Sequence, residues 1–298
     1  MKTTLAGQIK KYLPFYVMFL PIMLLFIMLC YVPMVGILLA LTEFTPFSGP
    51  TFIGLANFRE LMVNPMFLSA FKNTLFLSIT NLFLGVFLAV CVSILLNEIK
   101  NLLFKRVIQT IIYLPHFMSW VVVASIFTLL LSPQRGAVNS LLELFGIESV
   151  YFLISSKWWT PVYLFIMRWK ETGWMTIIFF AALAGINPEL YEAAMIDGAG
   201  RWRKMISITF PLLMTTIMIV IILNLARILN LFESVFVLQN DVVLDRAEVI
   251  QTYVFKVGLR RSDYGFATAV GLFKSIISLC LVLITNKVSK MIRGEAIL

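Results

Sequence analysis

The chain has 298 residues, of which 60% are hydrophobic and 13% charged, and its mean hydropathy is +0.95. A soluble domain carries about 45–50% apolar and about 25% charged residues, so a water-soluble globular protein is excluded. The formal net charge of +9 does not point to nucleic acid, because the basic residues collect in short polar segments between long apolar runs, where anionic lipid headgroups are their natural partner.

Six apolar runs reach the roughly 20 residues that a membrane-crossing helix needs: residues 14–41, 70–97, 107–131, 159–185, 206–230 and 266–290. They are continuously apolar, unlike the alternating strands of a membrane β-barrel. The pattern predicts an all-α membrane protein with six transmembrane helices and a single domain over 1–298. The first run follows Lys2, Lys10 and Lys11; it is too long for a secretory signal and lacks a small-residue cleavage pattern. Within it, Pro14, Pro21 and Pro33 predict kinks. Cys30, Cys91 and Cys280 stand in separate runs, a spacing that suits packing rather than a metal site or disulfide framework. Lys100, Lys105 and Arg106 precede the third run, near whose start lies His116, the only histidine; without a catalytic or metal-ligand constellation it reads as structural. Trp158 and Trp159 open the fourth run as interfacial anchors.

The fourth run also holds Arg168, Lys170 and Glu171. A charge inside a span costs on the order of 2.5–3.5 kcal/mol, which makes it a candidate for an interior function. Two readings stay open. Arg168 and Glu171, at i and i+3 on one helix face, neutralise each other; or Glu171 and Trp174 line a polar passage. The fifth run adds Asn224, Arg227 and Asn230 within one sector of a helix, and the sixth adds Lys274 at similar depth. These residues either line a water-filled passage or bond between helices.

Between the fourth and fifth runs, Asn187 predicts an N-cap, Pro188 the first helical position, and Glu189 complements the positive helix end. Leu190, Ala194 and Gly198 then share one side, Gly198-Ala199-Gly200 ends the helix, and Arg201, Arg203 and Lys204 open a basic turn. With Lys287, Lys290 and Arg293 near the far end, the short basic loops face the cytoplasm. Both termini are then inside, and loops 42–69, 132–158 and 231–265 are outside. Within the last, Val249 to Leu259 predicts a short surface helix.

Glu192-Ala193-Ala194, Gly198, Ile208 and Phe210-Pro211 stand at the spacing of the signature (EAA) loop of importer-type (type I) ABC transporter permeases, with Phe210 in place of the usual leucine. The chain resembles that family, and Glu192 to Ala199 resembles its sugar-importing branch. Tyr113 to Phe117, Trp169 to Trp174 and Tyr264 to Ala269 are similar to its polysaccharide and complex-oligosaccharide permeases. Gln239-Asn240-Asp241 departs from the Gly-Gly-Pro turn that many sugar permeases carry after the fifth span.

The resemblance implies a heteromeric importer in the bacterial cell membrane. A second homologous permease subunit completes the pore, two ATPase subunits dock on the cytoplasmic loops, and an extracellular sugar-binding lipoprotein delivers substrate. This multi-pass chain would form half of the pathway for an oligosaccharide or polysaccharide fragment. It would couple to the ATPase through Glu192, Ala193, Ala194, Asp197, Gly198, Ala199 and Arg201. Glu171, Trp174, Asn224, Arg227, Asn230 and Lys274 are the substrate-pathway candidates, as carboxylates accept sugar hydroxyls and aromatic faces stack on sugar rings. The chain itself is then no enzyme and binds no cofactor, ATP and Mg belonging to the partner. It contains no Gly-Lys dipeptide and so no G-x-x-x-x-G-K-[ST] phosphate loop. Asp197-Gly198 opens the D-G-x-x-A-R pattern of membrane phosphatidyltransferases, but Arg201 and Trp202 stand where Ala and Arg belong, and neither G-x-S-x-G nor H-E-x-x-H occurs. The rival reading is an ATP-independent secondary transporter or channel, which gives the signature loop no role.

Overall fold

The computed structural model describes residues 5–45 and 49–293; Lys2, part of the N-terminal charge, lies outside them. The chain clusters into two compact units, Met1–Val63 with Phe255–Leu272, and Asn64–Val254 with Phe273–Leu298.

In the first unit, α1 (Leu5–Phe26) continues through a π turn at Ile27–Tyr31 and a 3-10 segment at Val32–Leu41. The Val32 N–H reaches back to the Ile27 carbonyl immediately before Pro33, which has no N–H to continue the ladder. Pro14 and Pro21, where kinks were expected, sit inside one unbroken α-helix, and the helix type changes only ahead of Pro33. The stretch Tyr12–Leu41 is long and apolar enough to cross a membrane, and its most apolar window buries none of its residues. A hairpin that the sequence did not signal follows: β1 (Thr42–Thr45) pairs antiparallel with β2 (Gly49–Phe52), Thr42 opposite Phe52. From α2 (Ala56–Val63), buried Asn57 donates through Nδ2 to the carbonyls of Ala40 and Thr42, both at 3.0 Å.

The second unit is built on α3 (Pro65–Glu98) packed along α7 (Ser156–Ala184). In lipid such pairing is driven by close packing and hydrogen bonds rather than by water exclusion. Asn64 caps α3 by accepting the N–H groups of Met66 and Phe67 at 3.0 and 3.2 Å. The expected third span is broken. Its first half, α4 (Leu102–Tyr113), tightens into a 3-10 turn at Leu114–Phe117, and α5 (Trp120–Leu130) leaves at 104°. Pro115 removes a ladder donor, and Ser119 starts the new helix by accepting the Val122 N–H at 3.3 Å. In the following loop, α6 (Ala137–Leu144) carries buried Asn139, which donates to the carbonyls of Leu131, Ser132 and Val150 and accepts the Val150 N–H at 2.8 Å.

Trp159 is not the interfacial anchor expected. It is fully buried, stacks on Tyr163 with ring centroids 5.0 Å apart, and donates to the Leu238 carbonyl at 3.0 Å. It anchors one apolar cluster with Val123, Ile166 and Val235, while Val86, Phe179, Leu213 and Ile217 form another.

After α7 the chain bends by 65° into α8 (Pro188–Ile196), followed by α9 (Arg201–Lys204). A π turn at Met205–Thr209 leads into α10 (Phe210–Leu225), again just ahead of a proline, Pro211. The fifth span thus ends as a helix at Leu225, short of the expected residue 230, and unwinds into tight turns. Then come α11 (Glu233–Leu238), α12 (Leu244–Ala247), α13 (Ile250–Phe255) and the long α14 (Tyr264–Arg293). The segment expected as a surface helix at 249–259 is largely buried instead, with Val249, Ile250, Tyr253 and Val257 in the interior and Leu259 exposed. Cys30 and Cys280 are exposed rather than packed. Among the described residues four helices are long and apolar enough to cross a membrane, six spans if each bent pair is one.

Candidate functional site

The loop between α7 and α10 is built as its residues dictate. Asn187 accepts the Glu189 N–H at 3.1 Å and Pro188 takes the first helical position. At the other end Gly198 adopts φ +73°, the left-handed conformation in which a Cβ is costly. Its N–H meets the Met195 carbonyl at 3.0 Å, and the Ala199 N–H meets the Ala194 carbonyl at 2.8 Å, the paired closing bonds of a Schellman motif. Tyr191 and Thr209 share a hydroxyl hydrogen bond of 3.0 Å, which ties α8 to the foot of the next span. Glu192, Ala193, Asp197, Gly198 and Arg201 are exposed; Ala194 and Ala199 are half-buried. Sequence reasoning missed two large apolar neighbours, Ile196 at 88% and Trp202 at 75% exposure.

A second group lies where the broken third span meets α7. A Cβ at Gly173 would collide with the Ile112 carbonyl, so glycine is what lets α4 approach this closely. The expected Arg168–Glu171 pair does not form. Glu171 instead holds His116, Oε2 to Nδ1 at 2.9 Å, and Lys170, Oε1 to Nζ at 3.3 Å. Lys170 also donates to the His116 carbonyl at 2.7 Å and lies over the Trp120 ring. The His116 ring stacks on Trp174, centroids 4.5 Å apart and planes 7° from parallel. The Arg168 guanidinium is buried among α3 and α7, with Nε and one terminal nitrogen lacking a hydrogen-bond partner. His116, read from sequence as structural, is thus the residue that holds Glu171; a lone histidine gave no local sign of it.

The third group stands at the unwound end of α10. Asn224 donates to the Val220 carbonyl at 2.8 Å. Asn230 accepts through Oδ1 from Lys274 Nζ at 2.8 Å and from Gln251 Nε2 at 3.2 Å; Gln251 was not anticipated. Arg227 is exposed, and among the described residues it forms no ion pair. The structure therefore joins Glu171 with Trp174, through His116, and Asn230 with Lys274, as two separate groups. Among the described residues there is no cluster of three or more His, Cys, Asp or Glu able to hold a metal.

The family described as binding-protein-dependent transport system inner membrane component matches residues 81–294. The chain belongs to this family. It is a transport permease and a multi-pass membrane protein. It is similar to the polygalacturonan/rhamnogalacturonan transport system permease protein YteP of Bacillus subtilis, 41% identical over 97% of this chain and 90% of that one. The arabinooligosaccharides transport system permease protein AraP of Halalkalibacterium halodurans is 31% identical over 90% of this chain and 84% of that one. Among solved structures, a chain of a bacterial ABC transporter involved in the import of the acidic polysaccharide alginate superposes with a TM-score of 0.91. It is 36% identical and covers 97% of this chain and 99% of that one. A second structure of the alginate transporter, in complex with an alginate pentasaccharide-bound periplasmic protein, matches with the same TM-score, 0.91.

Proposed function

We propose that this family member is the transmembrane subunit of an ATP-driven importer of oligosaccharides or polysaccharide fragments. The capped α8 helix with its Schellman turn, carrying the signature residues on an exposed surface at the foot of two spans, is the observation that carries this reading. An ATPase subunit docks there, on Glu192, Ala193, Ala194, Asp197, Gly198, Ala199 and Arg201, with Ile196 and Trp202 supplying apolar contact. ATP and Mg bind to that partner, so this chain carries no cofactor and performs no catalysis. The complex comprises this chain as one transmembrane domain, a second permease, two ATPase subunits and an extracellular sugar-binding lipoprotein, as the alginate structure with its periplasmic protein supports. The uncovered most apolar window of the Tyr12–Leu41 stretch fits a chain that packs against a second permease. The α8–α9 loop and both termini face the cytoplasm of a bacterial cell, in keeping with their basic residues. Glu171 and Trp174 on one side, and Asn224, Arg227, Asn230 and Lys274 on the other, line the passage.

The test is uptake of labelled oligosaccharide into proteoliposomes holding the complete complex. Uptake should require hydrolysable ATP and the ATPase subunits. Transport that persists without those subunits would instead establish the ATP-independent transporter or channel.

A further inference from the structure

The α4 helix has two faces, and the passage residues named so far leave its polar one unexplained. At about 100° per residue, Lys105, Arg106, Gln109, Thr110 and Tyr113 share one sector of about 140°. Leu102, in the first turn, is the only apolar residue among them, while Leu103, Phe104, Val107, Ile108, Ile111 and Ile112 fill the rest of the circumference. Such a pattern is ordinary for a helix lying on a membrane surface, but α4 does not lie there. It runs antiparallel beside α7: the Lys105 ammonium stands over the Phe180 ring at 5.5 Å, Ile112 meets Gly173, and His116 holds Glu171. From Phe180 to Glu171 is roughly 14 Å along α7 at about 1.5 Å per residue. The polar sector therefore reaches from near the end of the fourth span to its middle.

No residue of α4 is buried in this chain. Val107 and Ile111, on the apolar side, are exposed as lipid-facing side chains are. The polar side is uncovered too, with Arg106 and Thr110 exposed and Lys105, Gln109 and Tyr113 half-buried. Thr110 donates to the Arg106 carbonyl at 2.9 Å and Gln109 lies against the Tyr113 hydroxyl, so among the described residues the hydrogen bonds of this sector stay within its own helix. Polar groups at membrane depth face protein or a water-filled cavity, because lipid offers them no partner. The sector also ends where the group placed on the passage begins, since α4 leads through the Leu114–Phe117 turn to His116 and its stack on Trp174.

We propose that this face of α4 is the cytoplasmic leg of the passage, a water-filled lane along which Gln109, Thr110 and Tyr113 exchange hydrogen bonds with the hydroxyl groups of the departing carbohydrate. Each of these side chains both donates and accepts, as sugar hydroxyls do, so the lane suits hydroxyls whichever way they point. The proposal rests on the import reading above and supplies the residues of its inner half.

The experiment uses the complete complex in proteoliposomes, with Cys30, Cys91 and Cys280 replaced by serine and single cysteines placed at Gln109, Tyr113, Val107 or Ile111. A bulky, charged, membrane-impermeant thiol reagent is introduced on both sides of the membrane, and labelling and oligosaccharide uptake are measured. The thiolate is the reactive form, and apolar surroundings raise a thiol pKa by a unit or more. Gln109→Cys and Tyr113→Cys should therefore label at least about 10-fold faster than Val107→Cys and Ile111→Cys. Labelling at 109 or 113 should lower uptake to background, whereas reagent should leave uptake by the 107 and 111 variants unchanged. Co-purification of the ATPase subunit shows that each variant assembles, and either polar-face position carries the test if the other fails to assemble. Three results overturn the lane: equal labelling at all four positions, thiols at 109 and 113 that stay unreactive because the second permease covers them, or labelling there that leaves uptake intact. Any of these in a complex that still imports under ATP leaves the import reading standing. Absence of ATP-driven uptake in the unlabelled parent sinks both.

Discussion

Gly198 offers the sharpest test of how the α8 loop works, because two effects of substitution separate there. The residue sits at φ +73° with nothing within 4 Å of where a Cβ would go. Gly198→Ala therefore meets no steric obstruction and carries only the cost of the left-handed backbone, about 1–2 kcal/mol for an L-residue. Abandoning that conformation would forfeit the bonds to the Met195 and Ala194 carbonyls, each worth about 0.5–1.5 kcal/mol net, so the turn strains or opens at similar expense. A change of 1–2 kcal/mol lowers the closed-to-open ratio of the turn about 5- to 30-fold. Gly198→Asn is larger but visits the left-handed region more readily, so it should cost less than alanine. Hydrogen exchange at the Ala199 amide, read beside ATPase co-purification and uptake, measures both effects. Backbone control predicts the order Gly, Asn, Ala, from most to least protected and active. If asparagine proves worse than alanine in coupling while exchange at Ala199 stays unchanged, bulk at the docking surface governs instead, and the backbone reasoning is refuted.

Glu171→Gln removes the partner of His116 and Lys170 while nearly keeping shape. Thermal stability of the complex should fall by about 1–3 kcal/mol, the scale of a hydrogen bond to a charged group left unmade. Unchanged melting with reduced uptake would assign Glu171 to the passage alone, and normal values of both would eliminate either role. For topology, a cysteine at Ala199 should resist a membrane-impermeant thiol reagent in intact cells. One at exposed Val242 should react, and the reverse pattern would invert the proposed orientation.

What was legible in the sequence was local. Asn187, Pro188 and Glu189 announce a helix start and Gly198 its end, each acting through residues within one turn, and the structure places them so. The break in the third span had its signals too, in Pro115 and Ser119. The apolar run around them read as continuous because hydropathy does not register direction. Long-range partners were illegible. Trp159 donates its hydrogen bond to a carbonyl 79 residues away, and Glu171 pairs with His116 from 55 residues away. The i, i+3 neighbour Arg168 was the natural partner on a helix considered alone. The hairpin at Thr42–Phe52 and the burial of Ile250 and Tyr253 likewise depend on what packs over them.

The broken third span also bears on how the chain is made. Leu102–Phe117 and Trp120–Leu130 extend about 24 Å and about 16 Å at 1.5 Å per residue, each short of the roughly 30 Å of hydrocarbon a helix must cross. Their bend is held by α7, through the Gly173 contact with Ile112 and the bonds from Glu171 and Lys170 to His116. During synthesis α4 and α5 leave the ribosome before α7 exists, so this stretch reaches the membrane without the element that fixes it. The His116 side chain and carbonyl in the Leu114–Ser119 turn then lack the α7 partners that satisfy them in the folded chain. Completion of α7 is thus the earliest point at which this bend can gain the contacts that hold it.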